Sequence, residues 1–135
     1  MKRPDAEGVS VVDEPVVLLV DDDPHVLSAL RRGLRREKVT IQTARNAREA
    51  LERLAEGTIA LVISDYCMPG MSGVELLTMI RSDWPSTKRM LLSGWTDEIP
   101  AAELNAADLF GMLSKPWDDM ELRTTLRRAV GLAND

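Results

Sequence analysis

Cysteine, histidine and aromatic residues are all scarce in this sequence. The single cysteine, Cys67, excludes an internal disulfide and a zinc site built from several cysteines. The single histidine, His25, follows Pro24 on a predicted first helical turn, where a surface position is a simpler interpretation than a metal ligand or a base. No apolar run is long enough to span a bilayer, and the N-terminus lacks a secretory pattern. We therefore expect a cytoplasmic protein in a reducing environment, with no membrane partner.

Positive charge is also in short supply, since the formal net charge is −5 over 135 residues. The one basic cluster, residues 31–38, is interrupted by Gly33, Leu34 and Glu37, and its simplest interpretation is a solvated helix face. Direct nucleic-acid binding by phosphate neutralisation is therefore not expected. The length fits one hydrophobic core. We predict a flexible leader at 1–15, a domain at 16–132 and a short tail at 133–135.

Short apolar segments alternate with helical patterns along the domain. Strands are predicted at 16–20, 39–43, 60–64, 88–92 and 109–113. Helices are predicted after Pro24, after the caps Asn46 and Ser72, around 98–107, and from Asp118 or Asp119. The first and third strands are apolar on both faces, as in buried parallel strands. The pattern predicts an α/β fold, a doubly wound five-stranded parallel sheet with helices on both faces.

Polar side chains occur where these strands end. Three carboxylates, Asp21-Asp22-Asp23, follow the first strand, and Asp65 ends the third. Ser93 and Lys115 follow the fourth and fifth strands. Ligands of such sheets bind at the carboxyl ends of the strands, so these side chains are expected to share one cleft. Adjacent carboxylates repel each other, and a divalent cation with a preference for oxygen ligands, Mg²⁺ or Mn²⁺, would stabilise them.

Simpler interpretations exist for each residue taken singly. The triplet could be a solvated turn that caps the first helix, and Asp23 is favoured as that cap. Asp65 could also be a cap, Lys115 a solvated lysine, and Ser93 part of a turn with Gly94. The coincidence of all of them at strand ends argues against these interpretations.

Four segments carry a family resemblance: 20–24 (VDDDP), 65–73 (DYCMPGMSG), 92–94 (LSG) and 115–116 (KP). In order and spacing they resemble the receiver domain of bacterial two-component response regulators, of the chemotaxis-regulator type, over residues 16–132. The resemblance implies a flavodoxin-like strand order 2-1-3-4-5 and phosphoryl transfer from a sensor histidine kinase or phosphotransfer protein to Asp65. It also implies a switch that controls a downstream output, and a cis peptide before Pro116.

The chemistry of these residues agrees with that role. The Asp65 carboxylate can attack phosphorus to form an acyl phosphate. A Mg²⁺ ion held by Asp22, Asp65 and the backbone carbonyl of Cys67, with Asp21 acting through water, would offset charge on the transferring group. Lys115 can pair with one phosphoryl oxygen. Such a module is a signalling domain and not an enzyme, although it promotes its own phosphorylation and dephosphorylation.

Ser93 completes the phosphoryl site in this interpretation, since its hydroxyl can donate a hydrogen bond to another phosphoryl oxygen. Receivers of the family use this hydroxyl to report phosphorylation. Gly73, at the end of the loop after Asp65, would let the backbone turn tightly toward the third helix.

Three positions depart from the family pattern. Cys67 replaces a polar residue that can position hydrolytic water, and Trp95 can overhang the cleft and exclude water. Both predict a long-lived acyl phosphate. Met112 stands where the family often has an aromatic switch residue, so Trp95 or Met112 is left as the candidate for that role.

Two other functions compete with the phosphoacceptor. A phosphorylation-independent interaction module would keep the fold and signal by binding alone. A Mg²⁺-dependent phosphohydrolase is disfavoured because no second carboxylate follows Asp65 at the position of a general acid.

The segments 93–97 and 115–118 weakly resemble receivers found ahead of HD-GYP phosphodiesterases or transcription-activating domains. Family dimers often form through the fourth helix and fifth strand, and dimerisation on phosphorylation is a further expectation with its geometry open.

Overall fold

The computed structural model describes residues 14–94 and 96–132. Five strands alternate with five helices along the chain. The strands are β1 (Val16–Val20), β2 (Thr40–Ala44), β3 (Leu61–Asp65), β4 (Lys88–Gly94) and β5 (Gly111–Lys115). The helices are α1 (Pro24–Leu34), α2 (Ala47–Glu56), α3 (Gly73–Asp83), α4 (Ala101–Ala107) and α5 (Asp119–Val130).

All strand pairs are parallel, and the sheet order is β2-β1-β3-β4-β5. The predicted fold class and strand order are therefore confirmed. The order reverses between β1 and β3, so the carboxyl ends of these two strands meet at the crevice where such sheets bind ligands. Asp21 directly follows β1, and Asp65 is the last residue of β3.

Several predicted boundaries were displaced by one to three residues. β2 and β3 start one residue later than predicted, β5 starts two residues later, and α4 starts at Ala101 behind Pro100. β4 continues to Gly94, so Ser93 lies inside that strand and does not follow it. Lys115 likewise ends β5, because Gly111–Lys115 pairs in register with Met90–Gly94.

The core has one layer on each face of the sheet. Along β1, Val17 and Leu19 pack with α1 and α5, whereas Leu18 and Val20 pack with α2, α3 and α4. This alternation follows from the two-residue period of a strand. Both faces of the central strands are buried, which explains why β1 and β3 lack a polar face.

Polar side chains fix the ends of the helices. Asp23, Asn46 and Ser72 accept hydrogen bonds from backbone N–H groups in the first turns of α1, α2 and α3. At the C-terminus of α4, the side chain of the buried Arg89 donates hydrogen bonds to the carbonyl oxygens of Ala107 and Asp108 at 2.9 and 3.1 Å. These bonds satisfy carbonyls that a helix leaves unpaired at its C-terminus.

Within the described ranges, no helix combines the length and apolar character needed to cross a membrane. The predicted leader at 1–15 lies outside the described residues except for Glu14 and Pro15, which precede β1. The predicted tail at 133–135 also lies outside them.

Candidate functional site

Three carboxylates meet at the carboxyl edge of the sheet. Asp21, Asp22 and Asp65 each offer an oxygen within 4.8 Å of the others. Asp21 and Asp65 are buried, with 1% and 5% of their surface exposed, whereas Asp22 is exposed. The third member of the triplet, Asp23, caps α1 by accepting from the N–H of His25 at 2.9 Å, so its predicted role as a cap is confirmed. His25 itself is exposed, as predicted.

Lys115 reaches into the same cluster from the end of β5. Its Nζ lies 2.7 Å from Oδ1 of Asp65 and 3.1 Å from Oδ2 of Asp21. The following peptide, Lys115–Pro116, is cis, as the resemblance implies. One ammonium group thus bridges two buried carboxylates that come from different strands.

The electrostatic balance of this cluster is visible in two pKa shifts. Burial raises the pKa of Asp65, and the charges of Asp21 and Asp22 add to that increase, while the hydrogen bond from Lys115 opposes it. For Lys115, burial alone would lower the pKa, but its hydrogen bonds and charge interactions with Asp65 and Asp21 outweigh burial and raise the pKa. The ammonium form of Lys115 is therefore favoured. An additional cation would further offset the repulsion among the three carboxylates.

Ser93 lies beside Asp65 on the neighbouring strand. Asp65 pairs with Leu92, whose carbonyl accepts from the N–H of Tyr66 at 2.9 Å, and Ser93 is the next residue along β4. Ser93 is buried, with 8% of its surface exposed. The carboxylate cluster, Lys115 and Ser93 therefore occupy one sheet edge.

The loop after Asp65 folds back closely onto the strand end. The N–H of Gly73 donates to the carbonyl of Tyr66 at 2.8 Å, and a Cβ at Gly73 would overlap the backbone carbonyl of Asp65. The tight turn predicted at Gly73 thus has a steric cause. Cys67, two residues after Asp65 in this loop, is exposed.

The predicted modulating residues differ in position. Met112 is 48% exposed and lies on the surface beside α4, where it lines a groove with Leu104 and Leu109. Trp95 falls outside the described residues. Asp97, which sequence reasoning missed, accepts a hydrogen bond from the N–H of Gly94, the last residue of β4, at 2.7 Å. The sequence signal for this contact was an aspartate three residues after a glycine, since aspartate side chains often form hydrogen bonds with nearby backbone groups in turns.

The donor set suits a hard divalent cation. Oxygen ligands of one octahedral Mg²⁺ lie no more than about 4.2 Å apart, and one oxygen from each of the three carboxylates lies within 4.8 Å of the others. All the side-chain donors are oxygen atoms, which favour Mg²⁺ or Mn²⁺ over Zn²⁺. The residues present therefore fit a magnesium ion.

Comparison with known proteins agrees with this geometry. A sequence profile of the response regulator receiver domain matches residues 17–127. The chain belongs to this family. The signal receiver domain of an HD domain-containing protein from Pseudomonas fluorescens is similar in structure, with a TM-score of 0.83 and 40% identity. That alignment covers 87% of this chain and 95% of the Pseudomonas chain.

The curated relatives are longer proteins. The hydrogenase transcriptional regulatory protein HoxA of Cupriavidus necator is 37% identical over 90% of this chain, and the match spans 26% of that regulator. The DNA-binding transcriptional regulator NtrC of Escherichia coli is 33% identical over 85% of this chain, and the match spans 24% of NtrC. The receiver therefore corresponds to about a quarter of the length of these relatives.

Proposed function

We propose that this receiver acts in the cytoplasm and accepts a phosphoryl group on Asp65 from the phosphohistidine of a sensor histidine kinase or phosphotransfer protein. The observation that carries the proposal is the contact of Lys115 Nζ with Asp65 and Asp21 inside the carboxylate cluster. A buried nucleophile beside a cation and a set of oxygen ligands is the arrangement that phosphoryl transfer requires, since that reaction depends on positioning and charge stabilisation.

In the proposed reaction, an Asp65 carboxylate oxygen bonds to phosphorus while the bond from phosphorus to the donor imidazole nitrogen breaks. Lys115 then pairs with a phosphoryl oxygen, and the Ser93 hydroxyl donates to another. Asp21, Asp22, Asp65 and the carbonyl of Cys67 would hold Mg²⁺, which when bound offsets negative charge on the transferring group. The shift of Lys115 and Ser93 toward the phosphoryl group is the proposed start of the conformational switch.

The names of the relatives support a proposal for the activity that the switch controls. HoxA and NtrC are named as transcriptional regulators, and the Pseudomonas receiver belongs to an HD domain-containing protein. We propose that phosphorylation controls an output of one of these two classes, with dimerisation of the receiver as one route.

Labelling with a small phosphodonor tests the proposal. Acetyl phosphate with Mg²⁺ is expected to add one phosphoryl group, detected by intact mass, and Asp65→Asn is expected to abolish the addition. Asp83→Asn is the matched control, since it removes an exposed carboxylate at the end of α3. Asp22→Ala is expected to weaken Mg²⁺ binding by about tenfold or more, measured by titration. Absence of labelling in the wild type would support the phosphorylation-independent interaction module, and normal Mg²⁺ affinity in Asp22→Ala would contradict the ligand assignment.

The acyl phosphate is expected to be long-lived. Cys67 is exposed in the loop that follows Asp65, but its thiol is a weak hydrogen-bond partner for water. Cys67→Asn is expected to shorten the half-life by at least about tenfold, because the amide can orient the attacking water. The measurement is phosphate release after removal of the donor, with Cys67→Ala as the control that adds no polar group. Decay within seconds in the wild type, unchanged in Cys67→Asn and Trp95→Ala, would show that neither residue protects the phosphoryl group.

A further inference from the structure

Arginines from two distant parts of the chain line one groove between the end of α1 and α5. We call it the arginine groove; it has a volume of about 430 Å³, and its lining contains five arginines and one acidic residue, Glu37. The arginines are Arg32, Arg35, Arg36, Arg123 and Arg127. A second groove of about 400 Å³ adjoins it through the shared residues Arg32 and Arg35, and extends to Arg31 and Ile41 on the edge strand β2. Together they form a continuous basic track.

Four arginines of this track, Arg31, Arg32, Arg35 and Arg36, are poorly compensated by the described residues. Glu37 is committed to Arg127, whose Nε and Nη2 donate to its two carboxylate oxygens at 2.6 and 2.9 Å. Within the part of the chain that the structure describes, no carboxylate lies within ion-pair distance of Arg31, Arg32, Arg35 or Arg36. Arginines on α2 behave differently, since Arg48 pairs with Glu52 and Arg53 lies 3.9 Å from Glu56. Concentrated positive charge in a chain of net charge −5 favours an anionic partner.

The track is remote from the phosphoacceptor. α1 starts at the carboxyl edge of the sheet, directly after Asp23, and runs back toward the amino edge, where β2 begins at Thr40. The arginine groove lies at the end of that path. Its side chains are therefore separate from the carboxylate cluster and are not used in the proposed phosphoryl transfer.

The shape and lining of the track narrow the class of partner. A series of arginines along two adjoining grooves suits a chain of anionic groups better than a single phosphate, and a guanidinium can bind a carboxylate through two hydrogen bonds. None of the described residues that line the grooves is aromatic, so nucleobases would have no stacking surface. Phosphates of a longer nucleic acid would also meet the acidic remainder of the domain. We propose that the track docks a Glu/Asp-rich segment of a partner protein.

A peptide-binding experiment tests this docking surface. A fluorescein-labelled glutamate-rich peptide is expected to bind the wild-type chain, with an affinity that falls as salt rises, whereas a glutamine-rich peptide of equal length is expected not to bind. The double variant Arg32→Gln/Arg36→Gln is expected to weaken binding by about tenfold, the effect of losing two exposed charge pairs. Fluorescence anisotropy measures both effects.

The control is Arg48→Gln/Arg53→Gln, which removes the same charge from α2 and is expected to leave peptide affinity unchanged. All four arginines are exposed, so neither double variant is expected to alter folding or labelling by acetyl phosphate. Equal loss of affinity in both double variants would show an effect of net charge alone and would overturn the proposal. No binding of the glutamate-rich peptide, or tighter binding of a single-stranded DNA of equal charge, would also overturn it.

Discussion

Replacing Lys115 with methionine is expected to lower the free energy of unfolding by about 3 kcal/mol at neutral pH without Mg²⁺, the scale of removing one partner from a buried ion pair. The ammonium lies 2.7 Å from Asp65 and 3.1 Å from Asp21, and both carboxylates are buried. Without Lys115, the carboxylates of Asp21 and Asp65 lie close to each other and to that of Asp22. No other cationic side chain among the described residues forms an ion pair with them. Methionine keeps an unbranched side chain that is one atom shorter, and it removes both the charge and the hydrogen-bond donors of the ammonium group.

The stability lost in the Lys115→Met variant is expected to be small at acidic pH and to grow as pH rises. The pKa of Asp65 is already raised above its ordinary value of 3.8 by burial and by its acidic neighbours, and Lys115 opposes that increase. Its removal raises the pKa further. Below pH 3.8, Asp65 is protonated in both the folded and unfolded chains, so the variant loses little. As pH rises, the unfolded chain ionises first, and the stability of the folded variant falls until the pH exceeds its folded pKa.

Chemical denaturation with and without Mg²⁺ measures the effect. Mg²⁺ is expected to stabilise the Lys115→Met variant more than the wild type, since a bound cation replaces the missing charge. Lys38→Met is the matched control, since Lys38 is exposed and its loss is expected to change stability by less than about 0.5 kcal/mol. A Lys115→Met variant as stable as the wild type in EDTA at neutral pH would show that the ammonium does not stabilise the carboxylates.

The placement of the site residues could be predicted from sequence because the carboxyl ends of parallel strands share one edge. Asp21, Asp65, Ser93 and Lys115 each stand at or near such an end, so local pattern was enough to bring them together. Strand boundaries were less predictable. The hydrophobic pattern reports burial, whereas the extent of a strand depends on its neighbour, and β4 includes Ser93 and Gly94 because β5 pairs with them.

Contacts between distant segments were beyond prediction from local pattern. Glu37 and Arg127 are 90 residues apart and meet because α1 and α5 pack on the same face of the sheet. The basic cluster of α1 therefore looked like an isolated solvated face, although α5 adds two arginines to it. Arg89 is a similar case, since an arginine in a strand gives no sign that it is buried against the end of α4.

Gly73→Ala is expected to destabilise the receiver by about 3 kcal/mol, at the upper end of the cost of overpacking a buried site. Helix propensity alone predicts the opposite sign, since Gly73 opens α3 and alanine is favoured over glycine in a helix by up to about 1 kcal/mol. The steric term is expected to win because the new methyl group would overlap the carbonyl of Asp65 and crowd the Cα of Tyr66. These are backbone atoms, which cannot rotate away as a flexible side chain could.

In the Gly73→Ala variant, the new methyl group would also push on the backbone of Asp65 at the end of β3. Labelling of Asp65 by acetyl phosphate is therefore expected to fall even under conditions where the variant is fully folded. Gly57→Ala is the matched control, because a Cβ there meets no atom within 4 Å and the backbone is extended. It is expected to be neutral or slightly stabilising, through the lower entropy of the unfolded chain. Equal stability and equal labelling of Gly73→Ala and Gly57→Ala would show that the loop can move away from Asp65 at little cost, and the tight turn would then have no part in positioning the carboxylate.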